Sequence, residues 1–422
     1  MNGFAPSGNR KKSGHLRHRN TEEEILTGAR DALITIENGT CTLDDLLDDA
    51  RYHNFRRILS HLLLGYFKHK KVIDSALAGF FRKTPAEKTH ALLKVSLTQA
   101  LTQERIAPQT VVNVAVEAAK KDKNHGFVNA VLRKALSELS GRELPSSPED
   151  VLPEILLSRW KKEFSSNQLK ELTAAFSSIP EFTFRIEKNC PEPEFKYSKA
   201  FCVDPAFPFG TAVPGDVLGS KEFSAGMIYI QDPAASLAVS MAPDRKMERI
   251  LDLCAAPGGK SLMLLEKYPE VQKFVAYDRS SKRQELTRKN FELRGIKHPT
   301  TCDSKMLEDS WDLILIDAPC SNTGVFRKRP DALWRFSLEE LHKTLIIQKE
   351  LLDFAASHLA DDGCILYSTC SIEKDEDEEQ VKDFLARHSS FVCLESRKLL
   401  PSSGHDGAFS ALLQKHIVHA DR

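Results

Sequence analysis

Ile250-Leu251-Asp252-Leu253-Cys254-Ala255-Ala256-Pro257-Gly258-Gly259-Lys260-Ser261 reads as an apolar strand, a glycine turn and the opening of a helix. An open α/β sheet builds a nucleotide cleft in this way. The glycines let a ligand approach the backbone, and the new helix offers free N–H groups and the positive end of its dipole. An acid, Asp278, ends the next apolar segment 19 residues beyond Gly259, about where a Rossmann-like unit carries a ribose-binding carboxylate. The turn is not G-x-G-x-x-G, which disfavours a nicotinamide ligand. Gly259-Lys260-Ser261 copies the tail of G-x-x-x-x-G-K-[ST], but Cys254 stands where the first glycine of that pattern belongs. A nucleoside ligand without a triphosphate fits better, and S-adenosylmethionine is the common one.

Working outward, strands are expected over 250–254, 273–277, 312–317 and 364–368, separated by helical patterns at 261–268, 281–294 and 338–360. Ser337-Leu338-Glu339-Glu340 can cap the last helix, and Gly363 can close it. This alternation predicts a parallel, doubly wound sheet that binds ligands outside the carboxyl ends of its strands. Asp278, Asp317-Ala318-Pro319-Cys320 and Ser368-Thr369-Cys370-Ser371 would share that edge. Two cysteines facing a cofactor cleft suggest an enzyme.

The remainder divides by composition. Residues 1–20 hold Arg10, Lys11, Lys12, Arg17 and Arg19 with no acid, as a basic flexible arm would. Residues 21–140 read as helical. Leu59, Leu62, Leu63, Tyr66 and Phe67 form a buried stripe, Asn38-Gly39 ends one helix, Thr42 and Asp45 can start another, and Pro85 and Pro108 suit first turns. From Arg51 to Lys71 there are six basic residues and no acid, so an anionic partner is expected, with Arg56 and Arg57 among its contacts. A Pro/Ser-rich linker spans 141–150, a small α/β subdomain is expected over 151–225, and the catalytic domain over 226–422.

A chain of 422 residues with 41% hydrophobic content can bury more than one core. No apolar run approaches a membrane span and no secretory signal stands at the N-terminus, so a cytoplasmic location is expected. Nine cysteines without a C-x-x-C pair argue for reduced thiols and against a zinc ribbon, and no metal site is expected. Formal net charge is zero and by itself says nothing of nucleic acid.

Asp252–Lys260, Asp317-Ala318-Pro319-Cys320-Ser321-Asn322-Thr323-Gly324 and Ser368-Thr369-Cys370-Ser371 resemble the motif set of RNA cytosine-5 methyltransferases. Within them the chain is most similar to the bacterial RsmB (Sun/Fmu) type, which acts on 16S ribosomal RNA. Glu104-Arg105-Ile106-Ala107-Pro108-Gln109 and Gly126–Arg133 resemble the NusB-like helical RNA-binding domain of that type. The resemblance covers roughly residues 25–140 and 150–415. It implies an all-α NusB-like bundle followed by an α/β Rossmann-like methyltransferase sheet. It also implies S-adenosylmethionine as cofactor and small-subunit ribosomal RNA or another structured RNA as partner; a monomer is expected, although the sequence does not give the oligomeric state.

The chemistry explains the cysteines. The 5-carbon of cytosine is a poor nucleophile toward a methyl sulfonium, and a thiolate adding to carbon 6 makes the ring enamine-like. By resemblance Cys370 is that nucleophile, Cys320 assists release, and Asp317 contacts the cofactor or the base. A free thiol of pKa ~8.5 is only roughly 3% ionised at pH 7, so the site must favour the thiolate, and Lys260 is a candidate to do so. The resemblance assigns cofactor contacts to Cys254, Ala255, Ala256, Pro257, Gly258, Gly259, Lys260, Asp278, Asp303 and Asp317. Arg327, Lys328, Arg329 and Arg335 are expected to meet RNA phosphate. Cys41, Cys190, Cys202, Cys302, Cys364 and Cys393 read as small buried hydrophobes, and Glu373–Glu379 as a solvated helix start. Departures from the family pattern fall at Arg329, at Arg185-Ile186-Glu187, over 190–225 and at Asp406–Phe409. Another RNA such as tRNA, a DNA cytosine-5 methyltransferase, and a non-catalytic NusB-like RNA-binding protein remain as alternatives.

Overall fold

The computed structural model describes residues 22–103, 106–139 and 144–416. The expected basic arm, Glu104 and Arg105, and residues 140–143 at the start of the linker lie outside the described residues. The described chain divides into two compact units, one of residues 22–66 with 73–139, the other of 67–72 with 144–416.

The described part of the first unit is helical, from Glu22–Glu37 to His125–Leu139. Thr42 and Asp45 make a reciprocal capping box, Pro108 opens its helix, and Leu59, Leu62, Leu63 and Tyr66 are buried on the long helix Arg56–Ala78. Pro85 instead precedes the cap of the helix Glu87–Thr102. Near the kink at His69, the segment 67–72 belongs to the second unit. There Lys68 Nζ donates to Ser178 O at 2.5 Å, and burial lowers its pKa to about 8. Lys71 reaches Leu152 O, and Lys70 lies over the Trp334 ring. The acid-free run therefore splits. Arg51, Arg56 and Arg57 are exposed, whereas its three lysines are half-buried.

In the second unit, β1 (Thr183–Ile186), β2 (Ser198–Lys199), β3 (Phe209–Thr211) and β4 (Ile228–Ile230) make a small antiparallel sheet in the order β2-β3-β1-β4. The main sheet contains β5 (Arg249–Asp252), β6 (Lys273–Tyr277), β7 (Thr300–Thr301), β8 (Trp311–Asp317), β9 (Leu359–Thr369), β10 (Phe391–Leu399) and β11 (Ala408–Lys415). Its order is β10-β11-β9-β8-β5-β6-β7. Strands β5 to β9 pair in parallel, and the order reverses between β5 and β8, the switch point where such sheets bind ligands.

Alternate residues of β8 serve opposite faces of the sheet. Leu313 and Leu315 join Ile250, Met263 and Phe274 in one core, whereas Ile314 and Ile316 join Leu251, Leu352 and Phe384 in another. A third cluster packs Trp160, Leu172 and Phe176 against Phe326 and Ile372, which follow the two cysteine motifs.

The sheet is not wholly parallel, because β11 pairs antiparallel with both β9 and β10. Strand β9 begins at Leu359, not at 364, so the preceding helix ends at His358. Of the six cysteines read as buried hydrophobes only Cys364 is fully buried, while Cys202 and Cys302 are exposed.

Gly324 shows how closely the turns after β8 and β9 approach. Its N–H donates to Cys370 O at 3.0 Å, and its own carbonyl accepts from Gly407 N at 2.8 Å. A Cβ there would meet the Cys370 and Gly407 carbonyl oxygens at 2.7 Å, and backbone cannot swing aside as a side chain can. Gly324→Ala should therefore lower the unfolding free energy by about 1–3 kcal/mol in chemical denaturation. Gly126→Ala, with open space around it, should not be destabilising.

Candidate active site

The turn after β5 is fixed from two sides. Arg283 donates to Ala256 O at 2.6 Å and Asn290 to Pro257 O at 2.9 Å, both from the helix Ser281–Leu293. Gly258 has φ 98°, a left-handed conformation that favours glycine. A Cβ on Gly259 would lie 2.6 Å from Gln231 Nε2. Under the turn Asp252 is fully buried and accepts from Ser261 Oγ at 2.5 Å, while its Oδ1 has no partner. Burial pushes its carboxyl up to about 7.

Two cavities open beside this turn, and Cys254, Lys260 and Asp317 line both. The smaller, about 200 Å³, runs along Ala255–Pro257 and Gly259, with Tyr229 and Gln231 in its wall. The larger, about 690 Å³, lies over the carboxyl ends of β5, β6, β8 and β9. Its wall carries Asp278, Cys320, Asn322 and Cys370, with apolar Leu307, Ile347, Leu351 and Phe354. The Asp278 side chain is almost fully buried, and its Oδ1 accepts from Ser280 N at 2.9 Å. A near-buried carboxylate beside an apolar wall suits a ribose and a base, so the residues present fit S-adenosylmethionine. Asp303 is exposed, caps the short turn Ser304–Leu307 and lies in neither wall, although Ser304 does.

Lys260 Nζ lies 2.7 Å from Asp317 Oδ2. Burial pulls the lysine pKa down, but Asp317 and, more weakly, Cys370 outweigh it and hold the ammonium above the usual value. The Cys320 and Cys370 sulfurs are 3.3 Å apart, far beyond the ~2.0 Å of a disulfide, and both are free thiols. Cys370 Sγ also donates to Asn322 Oδ1 at 3.3 Å, and Asn322, at φ 61°, donates to Cys320 O at 2.9 Å. The Cys320 thiol is pushed well up, first by its hydrogen bond with Cys370, then by burial and by the charges of Cys370 and Glu376. Burial likewise raises Cys254.

The acidic stretch Glu373–Glu379 is solvated only in part: Glu378 and Glu379 open a helix half-exposed, as expected, but three of its acids turn inward. Glu373, Glu376 and Asp377 are fully buried. Glu373 accepts from Arg159 and, at 2.6 Å, from Trp160 Nε1. Asp377 accepts from Thr369 Oγ1 at 2.7 Å and lies 2.9 Å from Lys398, with burial raising it to about 8. Glu376 reaches the turn that carries Cys320. Asn322 and Glu376 were not singled out from sequence. The Ser321-Asn322-Thr323-Gly324 turn after a Pro-Cys pair was the available signal for the first, since asparagine tolerates a left-handed backbone.

The basic loop after Cys320 does not face solvent as a whole. Arg327 is completely buried, donating to Ser402 O and Ser403 O and pairing with Asp232 and Asp406 at 3.3 Å each. It is therefore withdrawn from any phosphate. Lys328, half-buried, pairs with the same two acids. Arg329 is exposed at the rim of the larger cavity, and Arg335 is exposed beside Asp331 at 2.9 Å.

Asp278→Ala should weaken S-adenosylmethionine binding by roughly 1.5–3 kcal/mol in calorimetry, the loss of charged hydrogen bonds, at little change in melting temperature. Unchanged affinity would remove Asp278 from the cofactor site.

Comparisons with known proteins identify the family of the two units. Residues 238–413 match the family model described as 16S rRNA methyltransferase RsmB/F, and residues 29–137 match the NusB family. The ribosomal RNA small subunit methyltransferase B of Vibrio vulnificus is 32% identical over 82% of this chain and 86% of its own length. That of Vibrio cholerae is 29% identical over 86% and 90%. The crystal structure of PH0851 superposes with a TM-score of 0.72 over 92% of this chain and 99% of its own, at 21% identity, which speaks to the fold. Among the described residues no helix is long and apolar enough to cross a membrane. With two independently matched domains and relatives aligned over most of their length, the chain belongs to the ribosomal RNA small subunit methyltransferase B family of S-adenosylmethionine-dependent enzymes.

Proposed function

We propose that this protein methylates the 5-carbon of a cytosine in small-subunit ribosomal RNA through a covalent adduct, acting as a monomer with Cys370 as nucleophile and Cys320 as release group. The observation that carries the reading is the pair of free thiols 3.3 Å apart, lining one cavity with the Lys260–Asp317 ion pair. A lone nucleophile needs no second thiol at its sulfur.

The Asp317 carboxylate can accept from the exocyclic amine of an extruded cytosine, orienting the ring. Lys260, kept an ammonium by Asp317 and more weakly by Cys370, lines the cavity with that sulfur. That sulfur adds to carbon 6, and the electron pair of the 5,6 double bond moves onto carbon 5. Bound S-adenosylmethionine supplies a methyl group as an electrophilic sulfonium substituent to that carbon. For release, water takes the proton from carbon 5, its bonding pair restores the double bond, and the carbon–sulfur bond breaks toward Cys370. Cys320, held as a thiol, gives its proton to the departing sulfur and regains one from solvent. Exposed Arg56, Arg57, Arg329 and Arg335 are assigned to RNA phosphate, and with them Lys328, which is half-buried and paired with Asp232 and Asp406.

Cys370→Ala should abolish both methylation and any adduct that survives denaturation. Cys320→Ala should still attack and transfer, then accumulate an RNA- and cofactor-dependent adduct seen as a slow-migrating band. Losing the nucleophile blocks entry, whereas losing the release group blocks exit. The opposite pattern would make Cys320 the nucleophile.

A further inference from the structure

Glu376 sits between β9 and the helix Glu378–Arg387, fully buried. Its carboxylate accepts from Ser321 N at 2.9 Å, Ser321 Oγ at 2.5 Å, Thr344 Oγ1 at 2.9 Å and Gln348 Nε2 at 3.2 Å. The same Gln348 amide donates to Pro319 O at 2.9 Å, so Cys320 is held through both of its neighbours. Among the described residues no lysine, arginine or histidine pairs with Glu376. A buried carboxylate without a cation carries a large desolvation cost, which a neutral side chain of the same shape would avoid. Packing alone does not account for the acid.

We propose that Glu376 is a positioning residue for the release step, its carboxylate clamping Ser321 so that the Cys320 sulfur stays against Cys370. The inference rests on the release role proposed for Cys320. The charge of Glu376 acts in the same direction as the clamp, because a negative neighbour disfavours the Cys320 thiolate. Clamp and charge thus both favour Cys320 as the thiol that gives up a proton in release.

Glu376→Gln keeps the size of the side chain and removes its charge. Single-turnover methyl transfer should stay within about threefold of wild type while multiple turnover falls by roughly tenfold or more and a denaturation-resistant adduct accumulates. The alkaline limb of the multiple-turnover rate should also move to lower pH, since the thiol gives up its proton sooner without the neighbouring charge. The other charged or titratable groups lining that cavity include Lys260, Asp278, Asp317, Arg329, Glu350 and Cys370, all retained in the variant. Equal falls in single and multiple turnover without adduct, or unchanged kinetics and pH profile, would overturn the proposal. Should Glu376→Gln fail to fold, Ser321→Ala removes the 2.5 Å bond to Glu376, with the longer 3.3 Å contact to Ser371, keeps the backbone bond to Glu376, and should show the same partition at smaller size. Failure of Cys320→Ala to trap an adduct, run in parallel, would instead sink the release assignment on which the inference stands.

Discussion

Strands β8 and β9 run parallel with Asp317 opposite Ser368, and from that register the two cysteine motifs leave the sheet side by side. A slip of one residue would move one motif by ~3.3 Å along the strand and turn its side chains to the other face. Beyond the strands the pairing continues through the Gly324–Cys370 backbone hydrogen bond and through a hydroxyl chain. Thr323 Oγ1 lies 3.0 Å from Ser371 Oγ, which lies 3.3 Å from Ser321 Oγ. The sulfur–sulfur distance is thus a consequence of sheet register carried across two turns.

Charge is distributed unevenly around that pair. The cofactor turn brings Lys260, neutralised in part by Asp317, whereas the turn before the helix Glu378–Arg387 brings Glu376, held by neutral donors. Glu376 is fully buried, so solvent screens it little and its charge bears on Cys320. The surrounding acids are structural: Glu373 anchors Arg159 and Trp160, and Asp377 anchors Lys398. Asp232 and Asp406 neutralise Arg327 and Lys328 from the neighbouring loops.

The cofactor turn, β5, β6, β8 and both cysteine motifs were legible in the sequence because residue type and local spacing define them. Burial of charge was not. Glu373–Glu379 and the Arg327–Arg329 loop have the composition of solvated surface, and only partners distant in sequence, such as Gln348 or Asp232, turn them inward. The terminal hairpin escaped for a related reason. β11 is buried on both faces and so lacks alternation, and β10 is a half-exposed edge strand carrying Glu395, Arg397 and Lys398. That the acid-free run divides between the two units was not legible either, because a kink at His69 leaves no clear mark in the pattern.

The central claim, that Cys370 forms the bond to the base, is tested most directly with substrate RNA carrying 5-fluorocytidine at the target position. Fluorine cannot leave carbon 5 as a proton does, so wild-type enzyme with S-adenosylmethionine should stop at the methylated adduct. Protease digestion and mass spectrometry should then find the modified nucleotide on the peptide bearing Cys370. A nucleotide on the peptide bearing Cys320, or methylation of ordinary RNA with no trapped species on the fluorinated one, would contradict the account.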